Sequence, residues 1–351
     1  SDFAQIFCLQ TGKLLKNIPY YTKNGNSYAI WSLWIDFIDE NRIITFEEKW
    51  NDQSKNCQQL INLKNLSDMS EKTTIYGEYD TQNYSIYVKQ SYYYISPDNK
   101  FIAVGNTDPV KIYSAETLDL LMTLEATKIN SGKVDRSKLG KTYNLNMVYL
   151  STKYIVVSDT THRIQLFTMD GVKVAQMNTS QGDVNRMTIS PDNKLLAYII
   201  EKKVYVVSLE PQCENGAEND VRLETQCELT SNASIIFFCS PNILLIGKER
   251  GSYPPGGILE VWNTEKKELV QKVYFAWPIS SIASNSSGEL VAVGGDKTYH
   301  VYKFMGDRLE LFQASYNFKL NLFNVNVENA IGLSDENRQL ITQLQKIEKI
   351  E

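Results

Sequence analysis

The sequence predicts an all-β fold, a seven-bladed β-propeller, and three observations support this prediction. Short runs of β-branched and aromatic residues recur along nearly the whole chain, and turn-forming residues separate them. Four such runs fit into about 35 residues, which is the size of one four-stranded propeller blade. Two runs remain over at each end of the chain, and together they supply the strands of one further blade.

The repeat is clearest at 92–124, the main part of predicted blade three. Its four apolar runs are 92–95, 101–105, 110–113 and 118–124. In the first turn, Pro97 fixes φ, while Asp98 and Asn99 bond their own backbone and tolerate left-handed geometry. The stretch 187–210 almost copies this pattern, including the same turn residues at 190–194.

Taken in order, the chain divides into predicted blades of similar design. It opens inside a blade, because 4–18 matches the last two strands of the repeat. Blade two is expected at 28–76, with an inner strand at 29–38 and a polar hairpin loop at 47–56. Blades three to seven are expected at 84–124, 143–177, 184–229, 233–275 and 279–312.

The two ends of the chain are predicted to complete blade one together. Residues 317–333 supply two further strands, and we expect them to pair with 4–18. This pairing would close the ring and leave no open sheet edge, so that 1–333 forms a single propeller. The count of strands therefore favours seven blades over six or eight.

The tail, 334–351, is predicted to form a short C-terminal helix. Ser334 can cap it, and the acidic residues at 335 and 336 complement the helix dipole. Apolar residues at 340, 344 and 347 fall on one stripe. The competing interpretation makes 339–344 a third strand.

Recurring turns and strand ends carry a family resemblance. The turns at 96–100, 190–194, 240–242 and 285–289 are each followed by a strand of small apolar residues. Third strands then end in an aromatic residue at Tyr113, Phe167, Trp262 and Tyr302. Over nearly its whole length the chain resembles the WD40-repeat family of β-propellers, in a degenerate form. The resemblance implies a propeller that serves as a scaffold for protein partners.

The sequence departs from this family in its polar residues. No Trp-Asp dipeptide stands at the ends of the third strands, no Gly-His dipeptide occurs, and the chain has only two histidines. The family's Asp-His-Ser-Trp hydrogen-bond network is therefore absent from most blades. We expect apolar packing to hold the strands together instead.

Composition is typical of an intracellular globular protein, and we expect a cytoplasmic location. The net charge of −5 argues against nucleic-acid or anionic-membrane binding as the main activity. The five cysteines form no C-x-x-C pair and are expected to be reduced. No run of eighteen apolar residues occurs, so membrane insertion is not expected. The chain starts without Met and almost at once with strand residues, which favours a piece of a longer polypeptide over a start from which Met was removed.

The sequence offers no catalytic or cofactor-binding constellation, and we expect neither an enzyme nor a metal or cofactor site. Two histidines are too few for a multi-histidine metal site, and they carry no recognisable triad. His300 is expected to be a packed or edge residue of a strand. His162 is expected to have a structural role in a hairpin turn, where Asp159 bonds the local backbone. The glycines at 294–295 indicate a hairpin turn and not a phosphate loop.

We expect protein partners to bind at one end of the ring. In a propeller, the connectors between blades and the loops between second and third strands share one end. Exposed aromatic and arginine side chains on loops are typical of protein interfaces. The candidate partner-binding residues on these loops are Tyr20, Tyr21, Trp50, Lys133, Arg136, Lys138, Arg250, Tyr253 and Trp277.

Two functional hypotheses follow. The first is a non-catalytic scaffold, a propeller subunit or domain that binds other proteins of a larger assembly. The alternative is a nucleic-acid- or ribosome-associated factor that binds through a basic loop at 128–141, although the acidic pI argues against it. On the opposite end of the predicted propeller, the acidic insert at 211–220 is interpreted as a disordered bulge and alternatively as a docking site.

Overall fold

The computed structural model is an all-β structure of 26 described strands. It describes residues 3–7, 14–19, 30–51, 56–68, 70–80, 92–105, 109–124, 145–159, 162–179, 182–209, 223, 225–229, 232–252, 255–285, 287–295 and 298–314. The first two strands, β1 (Phe3–Phe7) and β2 (Leu14–Pro19), pair with each other as a two-stranded antiparallel sheet.

Six four-stranded antiparallel sheets follow, and in each of them every strand pairs with the next along the chain. Blade two contains β3 (Ile30–Phe37), β4 (Arg42–Asn51), β5 (Asn56–Asn65) and β6 (Glu71–Asp80). Blade three contains β7 (Tyr92–Ile95), β8 (Phe101–Gly105), β9 (Val110–Ser114) and β10 (Leu120–Leu124). Blade four contains β11 (Leu145–Leu150), β12 (Tyr154–Asp159), β13 (Arg163–Thr168) and β14 (Lys173–Asn178).

The remaining three sheets repeat this order. Blade five contains β15 (Val184–Ile189), β16 (Leu195–Ile200), β17 (Lys203–Ser208) and β18 (Thr225–Glu228). Blade six contains β19 (Ala233–Ser240), β20 (Ile243–Ser252), β21 (Pro255–Asn263) and β22 (Glu268–Phe275). Blade seven contains β23 (Ser281–Ser284), β24 (Leu290–Gly295), β25 (Thr298–Phe304) and β26 (Leu309–Ala314).

These sheets correspond to the six blades that were predicted as complete, and their arrangement matches a β-propeller. The first strands of blades three to seven, β7, β11, β15, β19 and β23, lie next to one another in succession. The innermost strands of a propeller are related in this way. Strands β1 and β2 lie at 4–18, which was predicted to supply the last two strands of blade one, and this assignment stays a prediction. The other part of predicted blade one, 317–333, and the tail, 334–351, lie outside the described residues, so seven blades, closure of the ring and the C-terminal helix stay predictions.

One predicted boundary is wrong. Residues 47–56 were expected to form a polar hairpin loop, but most of them belong to β4 and β5. Backbone pairing continues from Lys49 opposite Gln58 to Asn51 opposite Asn56. The pairing persists because backbone hydrogen bonds form a ladder whatever the polarity of the side chains.

The two predicted Ser-Pro-Asp-Asn-Lys turns have the same geometry. The Ser96 hydroxyl donates to Asp98 Oδ1 at 2.6 Å and accepts from the backbone N–H of Phe101 at 2.9 Å. In the second turn, Ser190 makes the equivalent bonds at 2.6 and 2.9 Å. Asn99 and Asn193 adopt φ of 56° and 62°, the left-handed conformation that Asn tolerates. These local bonds reverse the chain between the first and second strands.

The described residues form five apolar clusters that lie between consecutive blades, from blades two and three to blades six and seven. The second strands of blades three to six each serve two clusters, because their side chains alternate between the two faces of a sheet. In β12, Ile155 and Val157 pack toward blade three, whereas Tyr154 and Val156 pack toward blade five. Apolar packing between blades therefore dominates the described core, as the scarcity of histidine had led us to expect.

A chain of polar contacts joins the innermost strands. The rings of Tyr94 in β7 and Tyr149 in β11 are 4.0 Å apart between centroids. The Tyr149 hydroxyl lies 3.2 Å from Thr188 Oγ1 in β15, which in turn accepts from the Phe238 N–H in β19 at 3.5 Å. Burial raises the pKa of Tyr94 well above its ordinary value. These side chains link blades three to six along their innermost strands.

Blade two has a buried polar face turned away from blade three. Thr45 and Asn62 are fully buried, and the Asn62 amide donates to Thr45 Oγ1 at 3.2 Å. The Thr73 hydroxyl donates to Asn62 Oδ1 at 2.7 Å, and Thr45 donates to Glu47 at 3.2 Å. Lys64 lies 3.4 Å from the same Glu47 carboxylate. This face is covered, and its polar groups satisfy one another.

Candidate protein-interaction face

The candidate site is the end of the blades at which first and third strands begin and second and fourth strands end. We call this end the connector face. The opposite end carries the turns between first and second strands, including 96–100 and 190–194. The direction of the strands thus decides which loops can act together.

Two hairpins extend further at the connector face than those of the other blades. Strands β4, β5 and β20 have ten residues each and β21 has nine, whereas the second and third strands of blades three to five have five or six. At the opposite end, blades two and six turn between their first and second strands as the other blades do. The extra residues therefore lie at the connector face, and four residues of strand add about 13 Å.

Two of the predicted interface residues lie in these long hairpins. Trp50 is in β4, opposite Cys57 in β5, and Arg250 is in β20. Both were expected on loops, and this placement is wrong because the strands continue past the positions where polar residues suggested a loop. The other predicted residues, with the exception of Trp277, lie outside the described residues, as does the basic loop at 128–141: Tyr20, Tyr21, Lys133, Arg136, Lys138 and Tyr253.

Trp277 was expected to be exposed, and this expectation is wrong. Its side chain is 4% exposed, and its ring lies 4.5 Å from the Phe275 ring and 5.5 Å from the His300 ring between centroids. A Cβ atom on Gly295 would lie 2.8 Å from Trp277 Cε3 and 2.0 Å from the Pro278 carbonyl oxygen. Because Gly295 has no side chain, the connector at 276–280 can pack between blades six and seven.

The two histidines have the packed, structural positions that were predicted. His300 stacks among Phe275, Trp277 and Tyr302, and burial lowers its pKa. Its Nδ1 lies 3.2 Å from the Tyr302 hydroxyl, whose pKa burial raises to about 12. His300 therefore belongs to the apolar seam between blades six and seven.

His162 stands in the hairpin of blade four at the connector face. Its φ is 60°, and its Nδ1 lies 2.9 Å from the carbonyl oxygen of Gly182 in the following connector. The buried Asp159 carboxylate accepts from the backbone N–H of Arg163 at 3.4 Å and from its guanidinium at 2.6 and 3.0 Å. The predicted bond from Asp159 to the local backbone is confirmed, and the group fixes the shape of this hairpin.

An ionic cluster in blade six was missed by the sequence analysis. Both oxygens of the buried Glu260 carboxylate are occupied: Oε2 accepts from Trp262 Nε1 and Lys248 Nζ, each at 2.9 Å, and Oε1 lies 3.4 Å from Lys272 Nζ. Burial by itself would raise the pKa of Glu260, but the hydrogen bonds from Trp262 and Lys248 outweigh it and hold the pKa below its usual range. The sequence signal that could have revealed this cluster is the alternation of charged and apolar residues at 258–274.

Metal ligation and membrane crossing were also considered within the described ranges. Those residues contain no group of three or more His, Cys, Asp or Glu side chains that could hold a metal ion. They also contain no helix with the length and hydropathy of a membrane span. Burial raises the pKa of the Cys239 thiol to about 12.

Comparison with known proteins gives a structural likeness. No protein-family model matches the chain, and no curated protein matches its sequence. Among solved structures, the chain is similar to the β-propeller domain of Cps50 (Swd1) from Myceliophteria thermophila. The two are 15% identical, the match covers 64% of this chain and 72% of that chain, and the TM-score is 0.48.

Proposed function

We propose that this chain is a non-catalytic interaction scaffold, a WD40-like propeller that binds other proteins of a larger assembly through its connector face. The observation that carries the proposal is the pair of long hairpins, β4–β5 and β20–β21. The strands of these hairpins extend past the second and third strands of the neighbouring blades. Ordering the extra residues costs about 1–2 kcal/mol each in backbone entropy, which burial against a partner would offset.

The residues along these hairpins suit a protein interface. Trp50 and Arg250 belong to the residue types that contribute most to binding energy in protein complexes. Hairpins also present their side chains on a more rigid frame than loops do, which lowers the entropy lost on binding. An intracellular location stays a prediction from the cysteine content.

The experiment shortens each hairpin and measures what co-purifies with the protein. In one variant a two-residue Asn-Gly turn replaces 48–59, since Glu47 is paired with Leu60. In a second variant the same turn replaces 249–257. The control shortens the insert at 211–220, which lies between β17 and β18 and so belongs to the opposite end of the ring.

Quantitative mass spectrometry of proteins that co-purify with the full chain, with and without nuclease, gives the readout. We expect a fixed set of nuclease-resistant proteins that is lost from both hairpin variants and kept by the control. Thermal unfolding of each variant checks that the fold persists. Retention of all partners by folded hairpin variants would refute the proposed face, and loss of partners with nuclease would favour the nucleic-acid hypothesis.

A further inference from the structure

The connector at 276–280 lies at the base of the β20–β21 hairpin, on the seam between blades six and seven. Trp277 and Ile279 are buried in the apolar cluster of that seam, while the residues between and beside them are exposed. This alternation is that of an extended segment with one buried side. The connector is therefore a packed element of the seam.

On the blade-six side, the connector packs directly on glycine backbone. A Cβ atom added to Gly257 in β21 would lie 2.8 Å from the Trp277 carbonyl oxygen and 2.8 Å from Ile279 Cγ1. A Cβ atom added to Gly247 in β20 would lie 3.2 Å from Ile279 Cγ2. These distances are shorter than ordinary van der Waals contacts. Both strands of the hairpin therefore need a glycine where the connector passes.

On the blade-seven side, hydrogen bonds and packing anchor the connector. The Ser280 N–H donates to the Gly294 carbonyl oxygen at 2.9 Å, and the Ser280 hydroxyl donates to the same oxygen at 3.2 Å. On the same blade, Gly295 leaves room for Trp277. The connector is thus fixed to blade seven, and the hairpin of blade six rests against it.

Gly257 marks the point at which the hairpin extends past its own sheet. It is the last residue of β21 in the described pairing with β22, where it lies opposite Phe275. Further out, the described pairing of β21 is with β20, as far as Pro255 opposite Ser252. We call this outer part, 249–257, the blade-six arm. The connector thus contacts the arm at the point where the support from β22 ends.

We infer that the connector at 276–280 sets the direction in which the blade-six arm leaves the seam, so that the arm meets a partner in a fixed orientation. Gly257, Trp277 and Ile279 are then positioning residues of the proposed interaction face. An arm that is held in one orientation before binding loses less entropy when it binds, which strengthens the complex. This inference rests on the proposed scaffold function and names what positions one of its two hairpins.

Hydrogen exchange of the full chain, measured by mass spectrometry, tests the position of the arm without any partner. Gly257→Ala should speed exchange in 249–256 by at least about tenfold, because the added Cβ pushes β21 away from the connector. Ile279→Ala removes the contacting side chain without adding an atom, should act in the same direction, and decides the question if Gly257→Ala does not fold. The matched control, Val293→Ala, alters the same apolar cluster on blade seven and should leave exchange in 249–256 within about twofold. Unchanged exchange in 249–256 of the folded variants, or equal speeding by the control, would overturn the inference.

Co-purification with the full chain then tests whether the direction of the arm matters for binding. Gly257→Ala should lower the yield of the partners that the 249–257 replacement loses by at least about fivefold, whereas Val293→Ala should keep them. If a folded Gly257→Ala variant keeps these partners, the inference fails and the proposed function stands. If the 249–257 replacement itself loses no partner, the proposed function fails at this hairpin, while hydrogen exchange still shows whether the connector holds the arm.

Discussion

At the scale of single residues, Glu260 shows how a buried charge is kept in this fold. The Lys248 side chain beside it is 14% exposed, so each of these two charges depends on the other. Removing one partner of such a buried pair removes much of what compensates the other charge, which can cost more than the pair itself contributes. The cluster therefore helps to fix the register of β20, β21 and β22, whatever its net contribution to stability.

We predict that Glu260→Gln lowers the free energy of unfolding by about 1–3 kcal/mol at pH 7. Because the folded-state pKa of Glu260 lies below its unfolded value, this stabilisation is present above the unfolded pKa and is lost as the pH falls through the folded pKa. Urea unfolding of both proteins from pH 7 to pH 3 should show the difference shrinking below about pH 4.5. Glu228→Gln, which breaks the exposed pair with Lys203, should change little at any pH.

We also predict that Gly295→Ala lowers the free energy of unfolding by at least about 2 kcal/mol. The added Cβ would meet the Pro278 carbonyl oxygen at 2.0 Å, and backbone cannot move aside as a flexible side chain can. Ser284→Ala on the neighbouring β23 is the control, because Ser284 is exposed. Chemical denaturation of the three proteins provides the measurement. Equal stability of Gly295→Ala and the control would contradict the described packing of the 276–280 connector.

At the scale of elements, the first–second strand turns are the part of the fold that the sequence predicts best. Their shape depends on bonds within five residues, such as the one from the Phe101 N–H to the Ser96 hydroxyl. The long hairpins and the burial of Trp277 were not predictable in this way. Whether 47–56 pairs as strand depends on a partner strand, and whether Trp277 is covered depends on Gly295 in another blade. Of the candidate site, the sequence indicated the connector face but not which blades extend there.

The two equivalent turns allow a prediction about additivity. Ser96→Ala and Ser190→Ala should each lower the free energy of unfolding by about 1 kcal/mol, because each removes a hydroxyl that accepts two backbone N–H groups. They lie in different blades, so the double variant should lose about 2 kcal/mol, within about 0.5 kcal/mol of the sum. Urea unfolding of the single and double variants measures this. A much larger loss in the double variant would mean that the two turns are coupled.

At the scale of the whole molecule, the buried polar face of blade two bears on the predicted closure of the ring. Thr45 and Asn62 are turned away from blade three and yet are fully buried. An open end of a row of sheets would leave such a face in water. The burial supports the proposal that 4–18 and 317–333 form blade one beside blade two.

We predict that removal of 315–351 speeds hydrogen exchange in β4 and β5 by at least about tenfold. Under this proposal, 315–351 helps to cover the polar face of blade two, so its removal would expose that face to water. Exchange in β12 and β16, which lie between blades three and six, should change far less. Exchange measured by mass spectrometry on the full and shortened chains checks this. Unchanged exchange in β4 and β5 would exclude a role of 315–351 in covering blade two.

The division of the second strands of blades three to six between two neighbouring blades also limits how this protein can evolve. Ile155 and Val157 are matched in shape to blade three, and Tyr154 and Val156 to blade five. Deleting or duplicating one repeat in the gene would bring together two faces that were never fitted to each other. The connector at 276–280 contributes Trp277 and Ile279 to one of these faces, whereas a hairpin can lengthen beyond them, as the long second and third strands of blades two and six show. Genetic change in this chain is therefore expected to alter the length of its hairpins far more readily than the number of its blades.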